Sequence, residues 1–529
     1  MRSVLNDLKI PLLSLLLTGL LAAFFLPPMP IDETRYLSVA WEMQHAGSYV
    51  VPLLNGAPYA HKPPFLFWMM QAGWKLFGVN EVTPRLTFCL FGMFSILLLH
   101  RISLRLWPEE KKTAACAALV MGSTLLWMLW SCAIMFDVMI TFWVLVSVLG
   151  MLVTGTAPKK GWLLLTLGIA GGMLTKGPVI MVYTLPLVLL RPLWTADRSI
   201  PWKMLSAFPA GTGLAMLWAV PAAILGGTEY CHAIFWGQTV NRIGDSFAHR
   251  RPFWWYTPIL PLIFLPWIFF RPALEKINLK KADSGTLLAL LWIAVPFVIF
   301  SLISGKQVHY LVPLIPAGAL LMGRNIARSA KTAGTASVKI VGAFYLLAGV
   351  VAAVLPFIDL GEKTGNLDAG STWLAAAGLL SAGFLLMLPF KSTGSAARGL
   401  ALSTVLILLF GLSEANKSFM EGYNLKGMAV AIKNKMDEGC PVAHVGKYYA
   451  QYQFLGRLTK PLTLLSGGRD SDEVSKFIAG NPNGVLISYL KKNQTLPENA
   501  VVYYKQRYRG STSVVLWGPQ RRPSGNSGL

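Results

Sequence analysis

An α-helical polytopic membrane protein with a small C-terminal α/β domain is the fold class this sequence predicts, on three observations. Hydrophobic residues make up 54% of the 529 and charged residues only 13%, about half the charged share of an ordinary soluble domain. The apolar residues gather in runs close to the roughly 20 residues a helix needs to cross a bilayer. Beyond residue 415 those runs shrink to strand length and alternate with short helical stretches.

Taken in order, Met1–Lys9 leads into the apolar run Ile10–Leu26, which ends in Pro-Pro-Met-Pro without a small-residue cleavage site. It reads as a retained first helix. About thirteen spans follow from run length, over 10–27, 83–100, 113–131, 135–154, 162–175, 178–193, 205–226, 253–270, 285–304, 310–323, 338–357, 372–390 and 399–415. The fifth and sixth are short enough for a re-entrant pair. Together they define a membrane domain over 1–415. Its first loop, 28–82, holds two amphipathic stretches, Tyr36–His45 and Phe65–Phe77, suited to the membrane interface. Residues 416–529 form the second domain, with strands expected at Val442–Val445, Val485–Tyr489, Val501–Tyr504 and Ser513–Trp517, and helices at Gly427–Met436 and Asp472–Ile478.

Charge orients the chain. The net charge of +23 would suggest nucleic acid in a soluble protein, but here Lys and Arg sit in short loops between apolar runs, and no nucleic-acid partner is expected. Arg105/Lys111/Lys112, Lys159/Lys160, Arg198/Lys203, Lys276/Lys280/Lys281, Arg324/Arg328/Lys331 and Lys391/Arg398 follow alternate spans. The positive-inside rule puts these loops and the N-terminus in the cytoplasm and the C-terminal domain outside. Cys89, Cys116, Cys132, Cys231 and Cys440 show neither CxxC nor zinc spacing, and read as small core residues.

Some charges do not fit that pattern. Asp32-Glu33-Thr34-Arg35-Tyr36 directly follows the first span; Asp32 there is either a helix N-cap or a functional carboxylate. Tyr59-Ala60-His61-Lys62-Pro63-Pro64 lies in the same loop, and Asp137 stands in the apolar stretch Cys132–Phe142. A carboxylate at that depth is costly unless it serves a function. Lys176 (in Leu174-Thr175-Lys176-Gly177), Arg242, His249-Arg250-Arg251 and Lys306 (in Gly305-Lys306-Gln307-Val308-His309-Tyr310) all fall where the charge rule expects few cations. Each could snorkel to lipid headgroups. With Arg35 and Lys62 they suit a phosphate-linked donor at the membrane surface, where cations neutralise the phosphate and a carboxylate serves as base.

Asp32–Tyr36, Tyr59–Pro63 and Asp137 resemble the signature positions of membrane glycosyltransferases of the protein-mannosyltransferase type, most of all the aminoarabinose transferases of lipid A. Met173–Gly177, Asn241-Arg242 with His249–Tyr256, and Gly305-Lys306 with Tyr310 match in the same order, over Leu26 to about Met322. The resemblance implies the integral-membrane GT-C fold and an undecaprenyl-phosphate-linked sugar donor, with inversion at the transferred carbon. It also implies a lipid A or other glycan acceptor outside the bacterial inner membrane. By resemblance Asp32 is the catalytic carboxylate and Asp137 supports it. Arg35, Tyr36, Lys62, Lys176, Arg242, Lys306 and Tyr310 would meet the donor or its phosphate, and Glu33, His249 and Arg250 would shape the acceptor side. One departure concerns metal: position 61 is His where those transferases usually carry Glu. His61 and His249 are candidate ligands for a divalent ion such as zinc. The departure also bears on which sugar is carried. A monomer is expected. The rivals are the same fold acting on O-antigen, another surface glycan or a protein, and a lipid-linked saccharide transporter. The transporter should carry its charges at midplane in broken, repeated helices, which this sequence lacks.

Overall fold

A computed structural model describes residues 2–196, 202–237, 250–330, 334–357, 369–414, 421–510 and 512–520. The chain packs as two compact units, Met1–Phe25 with Ala60–Glu414, and Leu26–Tyr59 with Ala415–Leu529. The loop that composition assigns whole to the membrane domain is thus shared, its first half folding with the C-terminal residues.

In the first unit, α1 (Arg2–Phe25) is followed by α3 (Phe65–Phe77), α4 (Val82–Leu106), α5 (Lys111–Ser123), α6 (Leu125–Ser131), α7 (Phe136–Val153), α8 (Pro158–Lys176) and α9 (Val179–Leu189). Helix α2 (Asp32–His45) belongs to the second unit. Eight helices among the described residues are long and apolar enough to cross a membrane, and α5 with α6 form a further apolar pair bent by 64°. The protein is a multi-pass membrane protein. The run 253–270 differs from the continuous span expected. It breaks into a 3-10 turn at Phe253–Trp255, a short helix at Tyr256–Leu262 and another 3-10 turn at Trp267–Phe269. Pro258, Pro261 and Pro266 each remove an N–H donor and crowd the preceding turn.

Trp127, Trp267 and Trp292 are fully buried among the helices, whereas Leu217, Ile224, Leu225, Ile340 and Phe344 lie exposed. Such an apolar outer surface needs lipid against it. The pair α7 and α8 packs closely because small residues face each other. A Cβ at Gly150 would come within 2.6 Å of Leu165 N, and one at Gly168 within 2.2 Å of Ser147 Oγ. Small residues are how membrane helices reach such approach. This antiparallel pair brings the start of α7 beside the end of α8.

At the other end of these helices, basic loops are tied by acids. Glu110 Oε1 accepts from Arg324 Nη2 at 2.8 Å and from Arg328 Nη2 at 2.6 Å. Asp283 pairs with Arg324 and caps the helix Ser284–Leu302 by accepting from Thr286 N at 2.9 Å. The Arg324 guanidinium lies 4.3 Å from the Trp107 ring centre.

The second unit is built on a five-stranded sheet of β3 (Val442–Val445), β4 (Thr463–Leu465), β5 (Val485–Leu490), β6 (Ala500–Tyr508) and β7 (Thr512–Pro519), in the order β4-β3-β5-β7-β6. β3 runs parallel to β4 and β5; β7 runs antiparallel to β5 and β6. One side buries Ala443, Val445, Leu486, Val515 and Trp517 against Val474 and Phe477. The alternation of side chains along a strand turns His444 away from that cluster, beside Tyr448, Tyr452 and Tyr489. The expected strands and helices all occur, β3 at its expected bounds and the others slightly longer than their apolar cores. The hairpin of β1 (Leu53–Leu54) and β2 (Ala57–Pro58), together with β4, is additional.

Candidate active site

In the first unit the chemistry gathers where α7 starts and α8 ends. Asp137 occupies the first turn of α7 and Lys176 is the last residue of α8. Each complements its helix macrodipole, the carboxylate at a positive N-terminal end and the ammonium at a negative C-terminal end. Gly177, at φ +73°, supplies the left-handed residue that commonly closes a helix, which explains the Lys-Gly order. Lys176 Nζ donates to Asp137 Oδ1 at 2.5 Å, with side-chain exposures of 8% and 3%. The same ammonium stands 5.1 Å from the Tyr310 ring centre, and Lys62 Nζ stands 5.2 Å from that of Phe136. Lys62 and His309 lie within electrostatic range of the Asp137 carboxylate. Tyr183 Oη donates to Tyr310 O at 2.8 Å and fixes that ring's segment. One buried carboxylate thus stands among Lys176, Lys62 and His309, with aromatic rings alongside. An excess of cation over carboxylate in a water-poor setting is what an anionic phosphate requires.

The second cluster belongs to the other unit. Asp32 is the first residue of α2, so it is not the N-cap. That position is Ile31, which makes no side-chain cap. Arg35 Nη2 donates to Asp32 Oδ1, and the Tyr36 hydroxyl lies 3.5 Å from the same oxygen. The Asp32 side chain is 52% exposed and that of Arg35 only 18%. Burial opposes the Arg35 charge, but Tyr59, Tyr36 and Asp32 around it outweigh burial and raise its pKa. Burial likewise pushes the Tyr36 phenol up, so it remains protonated. Asp32 is therefore oriented by a permanent cation and a hydroxyl while one face meets solvent. Glu33 turns the other way: it is buried and accepts from Met29 N at 2.7 Å, securing the turn before α2.

The other sequence candidates separate. Lys306 is 3% exposed and donates to the carbonyls of Arg251 at 3.1 Å and Ile303 at 2.5 Å. Two of its three N–H donors thus staple the chain at these carbonyls, and its assignment to the donor phosphate remains a proposal. Arg250 bridges to Gly305 through its backbone and leaves its side chain exposed. Arg242 and His249 lie outside the described residues. Among the described residues no three His, Cys, Asp or Glu side chains form a group able to hold a metal ion. The described donors around His61 therefore do not make a divalent-metal site without His249. His309 and Tyr183 were not singled out from sequence. The His309-Tyr310 pair was visible within the Gly305–Tyr310 motif, whereas nothing local marks Tyr183.

A family profile described as dolichyl-phosphate-mannose-protein mannosyltransferase matches residues 61–224, a stretch containing His61, Lys62, Asp137 and Lys176. The undecaprenyl phosphate-alpha-4-amino-4-deoxy-L-arabinose arabinosyl transferase 2 of Pseudomonas fluorescens is 30% identical over 343 residues, which is 62% of this chain and 61% of that one. The corresponding transferase of Erwinia tasmaniensis is 28% identical over 364 residues, 66% and 65% of the two chains. The match thus spans about three fifths of the length of these curated relatives. Among solved structures, ArnT from Cupriavidus metallidurans in the apo state superposes with a TM-score of 0.78 at 20% identity, covering 97% of this chain and 98% of that one. The same protein bound to undecaprenyl phosphate gives 0.74. This chain is a multi-pass membrane protein with the GT-C membrane fold of those solved structures, similar over 61–224 to the mannosyltransferase profile and over about three fifths of its length to the aminoarabinose transferases.

Proposed function

We propose that the protein is an inverting glycosyltransferase that moves a sugar from undecaprenyl phosphate to lipid A at the periplasmic face of the bacterial inner membrane. The observation that carries this reading is the buried Asp137–Lys176 pair with Lys62 and His309 beside it, the pair and Lys62 lying inside the stretch that matches the mannosyltransferase profile. The names of the relatives, arabinosyl transferases acting from undecaprenyl phosphate, supply the donor class. The basic loops supply the orientation.

In this reading Lys62 and Lys176 take up the negative charge that develops on the departing phosphate, and Asp137 keeps Lys176 in place between turnovers. Asp32, held by Arg35 and Tyr36, serves the acceptor. If the acceptor is a hydroxyl, Asp32 accepts its proton as the oxygen attacks the anomeric carbon. If the acceptor is a lipid A phosphate, its oxygen is already ionised, and Asp32 stabilises the cationic character of the transition state. The C–O bond to the polyprenyl phosphate breaks as the new one forms on the opposite face, which gives one inversion. Arg242 and Arg250 are proposed to complete the donor and acceptor sides.

His61 favours a second reading. The usual acid is replaced by an imidazole, which fits a sugar other than aminoarabinose delivered by the same chemistry. The experiment is mass spectrometry of lipid A and other surface glycans from cells with and without the gene. A sugar-sized mass lost from lipid A upholds the first reading; a loss from another glycan with lipid A unchanged upholds the second. No change in either refutes both.

A further inference from the structure

The residue that holds the Asp32 turn lies at the other end of the chain. Arg509 sits in the tight turn between β6 and β7, with φ at +42° followed by Gly510 at +64°. A non-glycine residue in the left-handed region is uncommon and strained, and glycine would relieve that turn. The arginine side chain instead reaches the start of the chain's first loop: its Nη2 donates to Pro30 O, two residues before Asp32. Its guanidinium lies 5.8 Å and 5.4 Å from the ring centres of Tyr423 and Tyr508, and its backbone N–H donates to Gly422 O at 3.2 Å.

Further along α2 the same unit takes hold again. Ser38 Oγ accepts from Phe454 N at 3.1 Å, and Trp41 Nε1 donates to Leu458 O at 2.9 Å. Glu42 accepts from Asn55 N at 2.7 Å and Gly56 N at 2.8 Å, while Asn55 Nδ2 donates to Leu462 O at 3.0 Å. At the start of that helix Glu33 holds Met29 N, and Arg509 adds a clamp on Pro30 O from the β6–β7 turn.

We propose that Arg509 is a positioning residue, and that the sheet-bearing unit sets the aim of Asp32 through it. The inference rests on the reading of Asp32 given under Proposed function. Arg509→Gly relaxes the turn and removes the clamp, so folded yield and melting temperature hold. Turnover falls roughly tenfold or more, as when a reacting group is slightly misplaced, with KM for the polyprenyl-phosphate donor within about twofold. Arg509→Lys, which keeps a donor for Pro30 O, recovers part of the rate. In an Asp32→Asn background Arg509→Gly costs nothing further, because groups acting as one unit are not additive. Hydrogen exchange over residues 29–36 accelerates in Arg509→Gly while exchange in β3 and β5 does not.

Unchanged exchange over 29–36, or an equal loss with Asn at position 32, would overturn the proposal. Faster exchange over 29–36 together with a wild-type protein that transfers no sugar would leave the clamp standing and refute the transferase reading.

Discussion

Replacing Lys176 with Met tests the buried pair at the end of α8. The substitution keeps length and apolar volume but removes a cation that donates directly to Asp137, 2.5 Å away and 8% exposed. Leaving one partner of such a pair costs about 3–5 kcal/mol. Lys62 and His309 remain in range of the carboxylate, so Lys176→Met should fall at the lower end, about 3 kcal/mol. Asp137→Asn leaves Lys176 and Lys62 beside one another without their anion, and should cost more, about 5 kcal/mol. The double variant removes both charges and should recover most of the loss, since a buried pair is close to neutral against apolar replacements. Denaturant unfolding in detergent micelles, followed by tryptophan fluorescence, measures all three. Transfer from a polyprenyl-phosphate donor is assayed in parallel, and the double variant should be folded but inactive. A cost for Lys176→Met below about 1 kcal/mol, the worth of an exposed ion pair, would mean that water reaches the carboxylate. An active double variant would remove the pair from the chemistry.

Asp32→Asn should lower transfer by on the order of a hundredfold with normal folded yield, because Asp32 caps nothing and half its side chain is exposed; near-normal transfer would remove Asp32 from catalysis. Burial holds the His444 imidazole at a pKa of about 4, below its unfolded value near 6.5. The unfolded chain therefore binds the proton first. This stability is fully present above about pH 6.5 and lost as pH falls towards 4, by on the order of 3 kcal/mol. His444→Phe should flatten that slope in acid unfolding of the full chain, and an unaltered slope would assign the transition to other groups. The hydrogen bond from Arg324 leads in holding Glu110 at about 2, so its contribution is present above about pH 4.5 and fades towards pH 2. Glu110→Gln should cost about 1–2 kcal/mol in micelle unfolding, and no loss would make the network incidental. A reporter active only outside the cytoplasm should be active when fused after Gly510 and silent at Lys281; the reverse pattern would invert the orientation.

Local chemistry made much of this protein legible in its sequence. The helix Phe65–Phe77 and the strand Val442–Val445 occur at their expected bounds because each announces itself by a single-period pattern. Asp137 was marked by its depth in an apolar run, and it is buried against Lys176. The run 253–270 misled because mean apolarity hides where Pro258, Pro261 and Pro266 stand. The surroundings of Lys306 were illegible for another reason: a lysine between two spans has the same composition whatever it faces, and only the fold brings Arg251 O to it. Asn55 and Arg509 were illegible because their partners, Leu462 and Pro30, lie hundreds of residues away. No window of neighbouring residues contains that information.

The unit assembled from Leu26–Tyr59 and Ala415–Leu529 imposes a timetable on biosynthesis. Its first segment leaves the ribosome before all of Ala60–Glu414, and at about 5–20 residues per second its partner strands follow on the order of 20–70 seconds later. For that interval α2 and its hairpin have no sheet to join. Met43, Leu37 and Val39, buried in the finished protein, must meanwhile be shielded by lipid or by a chaperone. A stop codon late in the gene would consequently strip the support from residues made at the very beginning.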